Sequence, residues 1–150
     1  MTLLLFEVAR QRYGLDVSQI VEVVPAVRLR SIPGVPPYVA GIMQYRGSLA
    51  PVLDVSQLLC GTPAAPRFST RLVMVRHYTT ARTERVLGLL VERATQGVSD
   101  ELGDLMSSGI ATPDHPFLGK IAVQRDESVQ LLTVERLIPE ELRARLFVES

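Results

Sequence analysis

Four apolar runs of strand length crowd into the first 32 residues, at 3–9, 12–17, 20–24 and 27–32. Each is rich in Val, Leu and Ile, and turn-forming residues punctuate them. Runs this short and this close leave no room for helices of ordinary length. In the first run Leu4, Phe6 and Val8 share one face and Leu3, Leu5 and Glu7 the other, the period-two pattern of a strand. Ten prolines scattered along the chain further oppose long helices. Gly41–Tyr45 and Ser48–Leu53 flank Arg46-Gly47 and read as a hairpin, with Gly47 supplying the positive φ of a tight turn. Val86–Val91 is apolar throughout, as a strand covered on both faces would be. Short helices fit at Val55–Cys60 after the N-cap Asp54, at Val134–Ile138 after Thr133, and over Pro139–Phe147, where Glu141 and Arg145 can pair. Thr62–Ser69 reads as a connection and Ser99–Pro116 as a loop.

The two ends of the chain echo each other. Gly14-Leu15-Asp16-Val17 resembles Gly88-Leu89-Leu90-Val91 at an offset of 74, and Leu53–Leu59 resembles Leu132–Ile138 at an offset of 79. Tyr38–Ile42 matches Phe117–Ile121 more loosely. Strands, hairpin and capped short helix follow in the same order twice. We therefore expect a single domain over 1–150 with pseudo-repeat halves of about 1–65 and 66–150, each a small β-barrel.

Composition narrows the function. With 16 basic and 16 acidic residues the net charge is zero, and aromatic residues are 5% of the chain. A nucleic-acid binder needs a basic excess and a stacking surface, and neither is present. His77, His115 and the lone cysteine Cys60 do not have the spacing of metal ligands, so no metal and no cofactor are expected. His77, at the end of the run Leu72–Tyr78, is expected at a solvated strand terminus, and Cys60, after Leu58-Leu59, as a small buried apolar group. The cluster Asp100-Glu101-Leu102-Gly103-Asp104 has no calcium-loop spacing and reads as a solvated acidic loop. No phosphate-binding loop, nucleophile elbow or pair of tuned acid–base groups is found, so no catalytic residue is assigned and the chain is not expected to be an enzyme. The opening Met1–Phe6 is a poor signal peptide, no apolar run can span a bilayer, and a single cysteine suits a reducing compartment; a cytoplasmic protein is expected.

The segment Ser31–Val55 carries the most information. It runs Ser-Ile-Pro-Gly-Val-Pro-Pro-Tyr-Val-Ala-Gly-Ile-Met-Gln-Tyr-Arg-Gly-Ser-Leu-Ala-Pro-Val-Leu-Asp-Val. It resembles the signature of CheW-type adaptors of bacterial chemosensory arrays: a Pro-containing approach, a Gly before a strand, an Asn-x-Arg-Gly turn, and a Pro-Val-x-Asp strand leading into a short helix. Tyr13–Val17, Ile20–Val23, Leu87–Val91 and Leu131–Leu137 fit the same pattern. The resemblance implies an all-β fold of two SH3-like five-stranded barrels around a shared hydrophobic core, with short helices. It implies a scaffold without chemistry, coupling the cytoplasmic tips of chemoreceptors, held in a groove between the barrels, to the regulatory domain of a CheA-type histidine kinase at membrane-bound arrays. A second CheW-like adaptor is a further partner.

Matched to the family, Glu22 and Arg46 are an acidic and a basic position near the receptor groove, where they either position a partner helix or form an exposed salt bridge. Ile20, Val23 and Val98 are either apolar groove contacts or core. Gly41, Gly47, Pro51 and Asp54 match with structural roles: close backbone approach, turn, strand shaping and helix cap. The family's turn Asn is replaced here by Gln44-Tyr45, and Thr79–Arg85 and Ser99–Pro116 depart from family spacing. The Tyr45-Arg46-Gly47 turn, Ser69–Val73 and the Pro139–Phe147 tail look more like adaptors of surface-sensing systems. The alternative reading of the chain is a β-barrel regulatory module that senses a small molecule held between the barrels.

Overall fold

The computed structural model describes residues 2–66, 69–78, 83–94, 98–99, 105–124 and 127–147. Its strands are β1 (Leu3–Val8), β2 (Gln11–Asp16), β3 (Ile20–Pro25), β4 (Val39–Tyr45), β5 (Ser48–Asp54), β6 (Arg71–Tyr78), β7 (Glu84–Val91), β8 (Val98–Ser99), β9 (Leu105–Met106), β10 (Leu118–Gln124) and β11 (Glu127–Leu132). Helix α1 is Val55–Cys60 and α2 is Glu140–Leu146, with single 3-10 turns at Val17–Gln19 and Val134–Arg136. Among the described residues no helix is long and apolar enough to cross a membrane.

The strands form two sheets, in the orders β8-β1-β2-β11-β10-β9 and β3-β6-β7-β5-β4. Neither sheet is built from one half of the chain alone. The repeat is real, but its first hairpins are exchanged. Hairpin β1-β2, from the first half, sits among strands of the second half; its counterpart β6-β7 sits among strands of the first. The registers show the equivalence. Gly14 on β2 lies opposite Leu131 on the parallel strand β11, and Gly88 on β7 lies opposite Val52 on the parallel strand β5. Tyr38 carbonyl accepts from the Asp54 amide at 2.7 Å, and Phe117 carbonyl accepts from the Thr133 amide at 2.8 Å, both pairs related by the offset of 79. Both glycines are needed for packing: a Cβ on Gly14 would meet Leu3 Cδ1 at 2.9 Å, and one on Gly88 would meet Val52 Cγ2 at 3.0 Å.

The exchange creates one core between the sheets. Leu4, Phe6, Val8 and Leu15 from the first sheet pack against Val73, Val75, Leu87, Leu89 and Val91 from the second, sealed by Val134, Leu137, Ile138 and Leu142. A smaller cluster of Tyr45, Ala50, Val52, Leu72 and Met74 fills the far face of the second sheet. β7 is therefore covered on both faces, as its continuous apolar run requires.

Several local expectations need correction. Residues 27–32 form no strand; only Arg30 pairs, with Ile42 on β4. The loop after Ser99 contains the two-residue strand β9, too short to leave a period in the sequence. Asp54 caps α1, its Oδ1 accepting from the Gln57 amide at 3.1 Å while Oδ2 accepts from the Ala64 amide at 2.9 Å. Thr133 makes no such side-chain bond, because the tight turn after it is closed by its own backbone. Arg145 does not hold Glu141 but donates to the Gly34 carbonyl at 2.6 Å. Cys60 is exposed, as the last residue of a six-residue helix whose leucines take the inward positions. The acidic cluster Asp100–Asp104 and most of Thr79–Arg85 lie outside the described residues.

His77 is buried rather than solvated. The strand ends where the C-terminal tail returns, and the Phe147 ring stacks on the imidazole at 5.5 Å between centroids. Neither ring nitrogen has a hydrogen-bond partner among the described residues. Burial, then the nearby Arg143 guanidinium, lowers its pKa from 6.5 to about 4. The folded state therefore keeps His77 neutral where the unfolded chain binds a proton. Stability is full above pH 6.5 and falls as the pH drops from there to about 4. The loss attributable to this residue approaches about 3 kcal/mol. Denaturant titrations at several pH values will show this slope in the wild type and a flatter one in His77→Leu. Equal slopes would mean that the imidazole is solvated.

Candidate binding groove

The two edge strands β3 and β8 hold equivalent places. β3 pairs with β6 in one sheet and β8 with β1 in the other, both antiparallel. Val23 lies opposite Val73, and Val98 lies opposite Leu4. Val73 and Leu4 in turn pair with Leu89 and Leu15, which the repeat offset of 74 relates. Val23 and Val98, singled out separately in the sequence, thus sit at the same register position on the two equivalent edges. Val23 is exposed at 42%, unusual for a valine in a sheet. Ile20, at the start of β3, is half-buried and packs on the shared core, unlike the exposed Val23.

A polar cluster stands beside β3. The β4–β5 turn puts both Arg46 (φ 49°) and Gly47 (φ 81°) in the left-handed region, the two positive values a type I′ hairpin requires. Arg46 meets that requirement without being glycine, at a conformational cost of about 1–2 kcal/mol. The turn folds the Arg46 guanidinium back over the Tyr45 ring, 5.1 Å from its centroid. From there Arg46 Nη2 donates to Glu22 Oε1 at 3.0 Å, the pairing expected from the sequence. Tyr45, not among the candidate site residues read from the sequence, completes the cluster: its hydroxyl donates to the same Oε1 at 2.9 Å. Burial, then the bond to Glu22, raises the Tyr45 pKa above its usual 10, so the phenol stays a donor. Both donors converge on one carboxylate oxygen, and Oε2 has no partner among the described residues. The signal for Tyr45 was present in the sequence: a carboxylate inside the apolar run of β3 needs donors, and the hairpin supplies two.

The remaining matched positions are structural in their geometry. Gly41 has φ 150°, and a Cβ there would fall 2.4 Å from the Arg30 carbonyl oxygen. Pro51 lies opposite Ile42, whose N–H and C=O both turn away to Arg30, so on that side no donor is missed.

Comparison with known proteins fits this geometry. The model of the CheW-like domain matches residues 2–142. The chain belongs to the CheW-like domain family. The chemotaxis protein CheW of Helicobacter pylori (strain ATCC 700392 / 26695) is 25% identical over 135 residues, covering 89% of this chain and 78% of that protein. Among solved structures, the scaffolding protein TtCheW from Thermoanaerobacter tengcongensis superposes with a TM-score of 0.78 at 25% identity, covering 92% of this chain and 87% of that one. The mostly β fold with two SH3-like subdomains, expected from the resemblance, is the CheW fold. In this member one subdomain sheet has five strands and the other six, two of which are only two residues long.

Proposed function

We propose that this CheW-like protein is a non-catalytic adaptor. It holds the helical tip of a chemoreceptor in the groove between β3 and β8, and the regulatory domain of a CheA-type histidine kinase at a subdomain end, at cytoplasmic arrays of membrane-bound receptors. The observation that carries this reading is the pair of equivalent edges, with Val23 and Val98 in register and the Glu22–Tyr45–Arg46 cluster at the rim of one of them.

The mechanism is binding alone. A helix laid between the two edges meets the exposed Val23 and, beside β3, a carboxylate already fixed in place. Because Tyr45 and Arg46 both bond Oε1, Glu22 offers Oε2 to a donor on the receptor without losing rotamer freedom at that moment. Arg46, still 63% exposed, offers its remaining N–H groups to an acceptor. An exposed ion pair of this kind adds at most about 1 kcal/mol to stability, which leaves partner positioning as its larger use. The interface of a helix tip is small and its affinity modest; gathering receptor and kinase on one rigid body raises their effective concentration. The space between the sheets is filled by the shared core, which supports an adaptor over a sensor of an enclosed ligand.

Titration of a purified receptor tip fragment tests the reading. Tyr45→Phe removes one oxygen and leaves the ring, so the fold should be retained while the complex weakens by about 1 kcal/mol, roughly fivefold. Unchanged affinity in Tyr45→Phe would remove Glu22 from the receptor site.

A further inference from the structure

A second surface lies on the outer edge of β4. The segment leading to it touches the strand once: Arg30 exchanges both backbone bonds with Ile42, at 3.0 and 2.8 Å, and Arg28 is not paired. Hydrogen-bonding direction alternates along an antiparallel strand, so the N–H and C=O of Gln44 turn outward like those of Ile42. β4 is the last strand of its sheet, and nothing among the described residues pairs with Gln44 there. Between the departing segment and the strand edge opens a cleft of about 540 Å³. Its walls carry two of the most exposed apolar side chains of the described chain, Val27 at 49% and Leu49 at 70%. Leu29 packs inward, which sends Arg28 and Arg30 to the cleft side together. Neither arginine is in an ion pair among the described residues.

An open strand edge, apolar walls and two exposed cations without an ion pair among the described residues specify one kind of occupant. We infer that this cleft docks an extended acidic segment of a partner protein, which adds to β4 through the backbone of Gln44. Its apolar side chains lie against Val27 and Leu49, and its carboxylates pair with Arg28 and Arg30. The free edge gives the segment its extended form, and the arginines select its charge. This site is separate from the groove of Ile20, Glu22 and Val23, and it holds whether or not the receptor reading does.

The probe is the blocked peptide Ac-Glu-Val-Glu-Leu-Glu-Val-NH2, titrated into the ¹⁵N-labelled full-length protein. Saturable amide shifts are expected within residues 27–30 and 42–49. Binding should weaken roughly tenfold when Lys replaces Glu in the peptide or when Arg28→Glu and Arg30→Glu are combined, and it should fall with added salt. The Arg28→Lys, Arg30→Lys protein should bind within about twofold of the wild type, since both charges remain. All substituted side chains are exposed, and circular dichroism confirms that the variants fold. Absence of saturable shifts, or equal binding of the acidic and basic peptides, would overturn the inference. So would shifts that persist in the double Glu variant, or arginine-dependent binding of anionic lipid vesicles without binding of the peptide.

Discussion

Cut at residue 65, neither fragment of this chain is expected to fold alone. Residues 1–65 contain β1 and β2, but every strand that flanks that hairpin in its sheet comes from residues 98–132. They also contain β3 and the hairpin β4-β5, which meet in the sheet only through β6 and β7. Fragment 1–65 would hold three pieces not joined by strand pairing, the hairpins β1-β2 and β4-β5 and the single strand β3, and an isolated hairpin is marginal in water. The fragment 66–150 suffers the mirror-image loss. The shared core draws on both sheets, so cutting exposes it in each fragment, removing the whole of a stability of order 5–15 kcal/mol. Far-UV circular dichroism should show each fragment unfolded and an equimolar mixture regaining β structure. A fragment that unfolds cooperatively alone would contradict the exchanged hairpins.

Gly41→Ala should destabilise the protein by about 3–4 kcal/mol, the largest loss expected from adding a single methyl group. Two effects act together. The φ of 150° is unfavourable for alanine, and the added carbon would stand 2.4 Å from the Arg30 carbonyl oxygen and 3.0 Å from its carbonyl carbon. These are backbone atoms held by the two bonds between Arg30 and Ile42, so relief requires breaking that pair and moving the approach to β4. Gly34→Ala is the control. Its φ of 81° also disfavours alanine, but nothing lies within 4 Å of the added carbon, and about 1 kcal/mol is expected. Urea midpoints for both variants check the contrast. Equal losses would mean that conformation alone, and not the close approach, explains Gly41.

What could be read in the sequence was whatever a few neighbouring residues decide. The strand β1, the hairpin around Arg46-Gly47, helix α1 with its Asp54 cap and the double coverage of β7 each depend on a short window. The repeat was also visible, and with it the equivalence of Gly14 and Gly88. What the repeat could not say is which copy of the hairpin each sheet would take. The two alternatives have the same residues in the same order and differ only in contacts between distant segments. His77 is a similar case. Its strand was evident, but its burial is caused by Phe147, seventy residues later. At the polar cluster, Glu22 and Arg46 pair as the family match suggests, and Tyr45 joins them through the same carboxylate oxygen, a partner that the need of a strand-borne carboxylate for donors makes legible. The register that aligns Val23 with Val98 emerges only from the exchanged sheets.

Co-sedimentation with receptor-containing membranes in the presence of the histidine kinase tests the adaptor reading through one residue. Arg46→Glu places a second carboxylate beside Glu22 and removes the exposed donor, while the turn and the core stay intact by circular dichroism. The wild type should bring both receptor and kinase into one complex, and Arg46→Glu should lose the receptor at least tenfold while still binding the kinase. Full retention of the receptor by Arg46→Glu, or a wild type that associates with neither partner, would contradict the account.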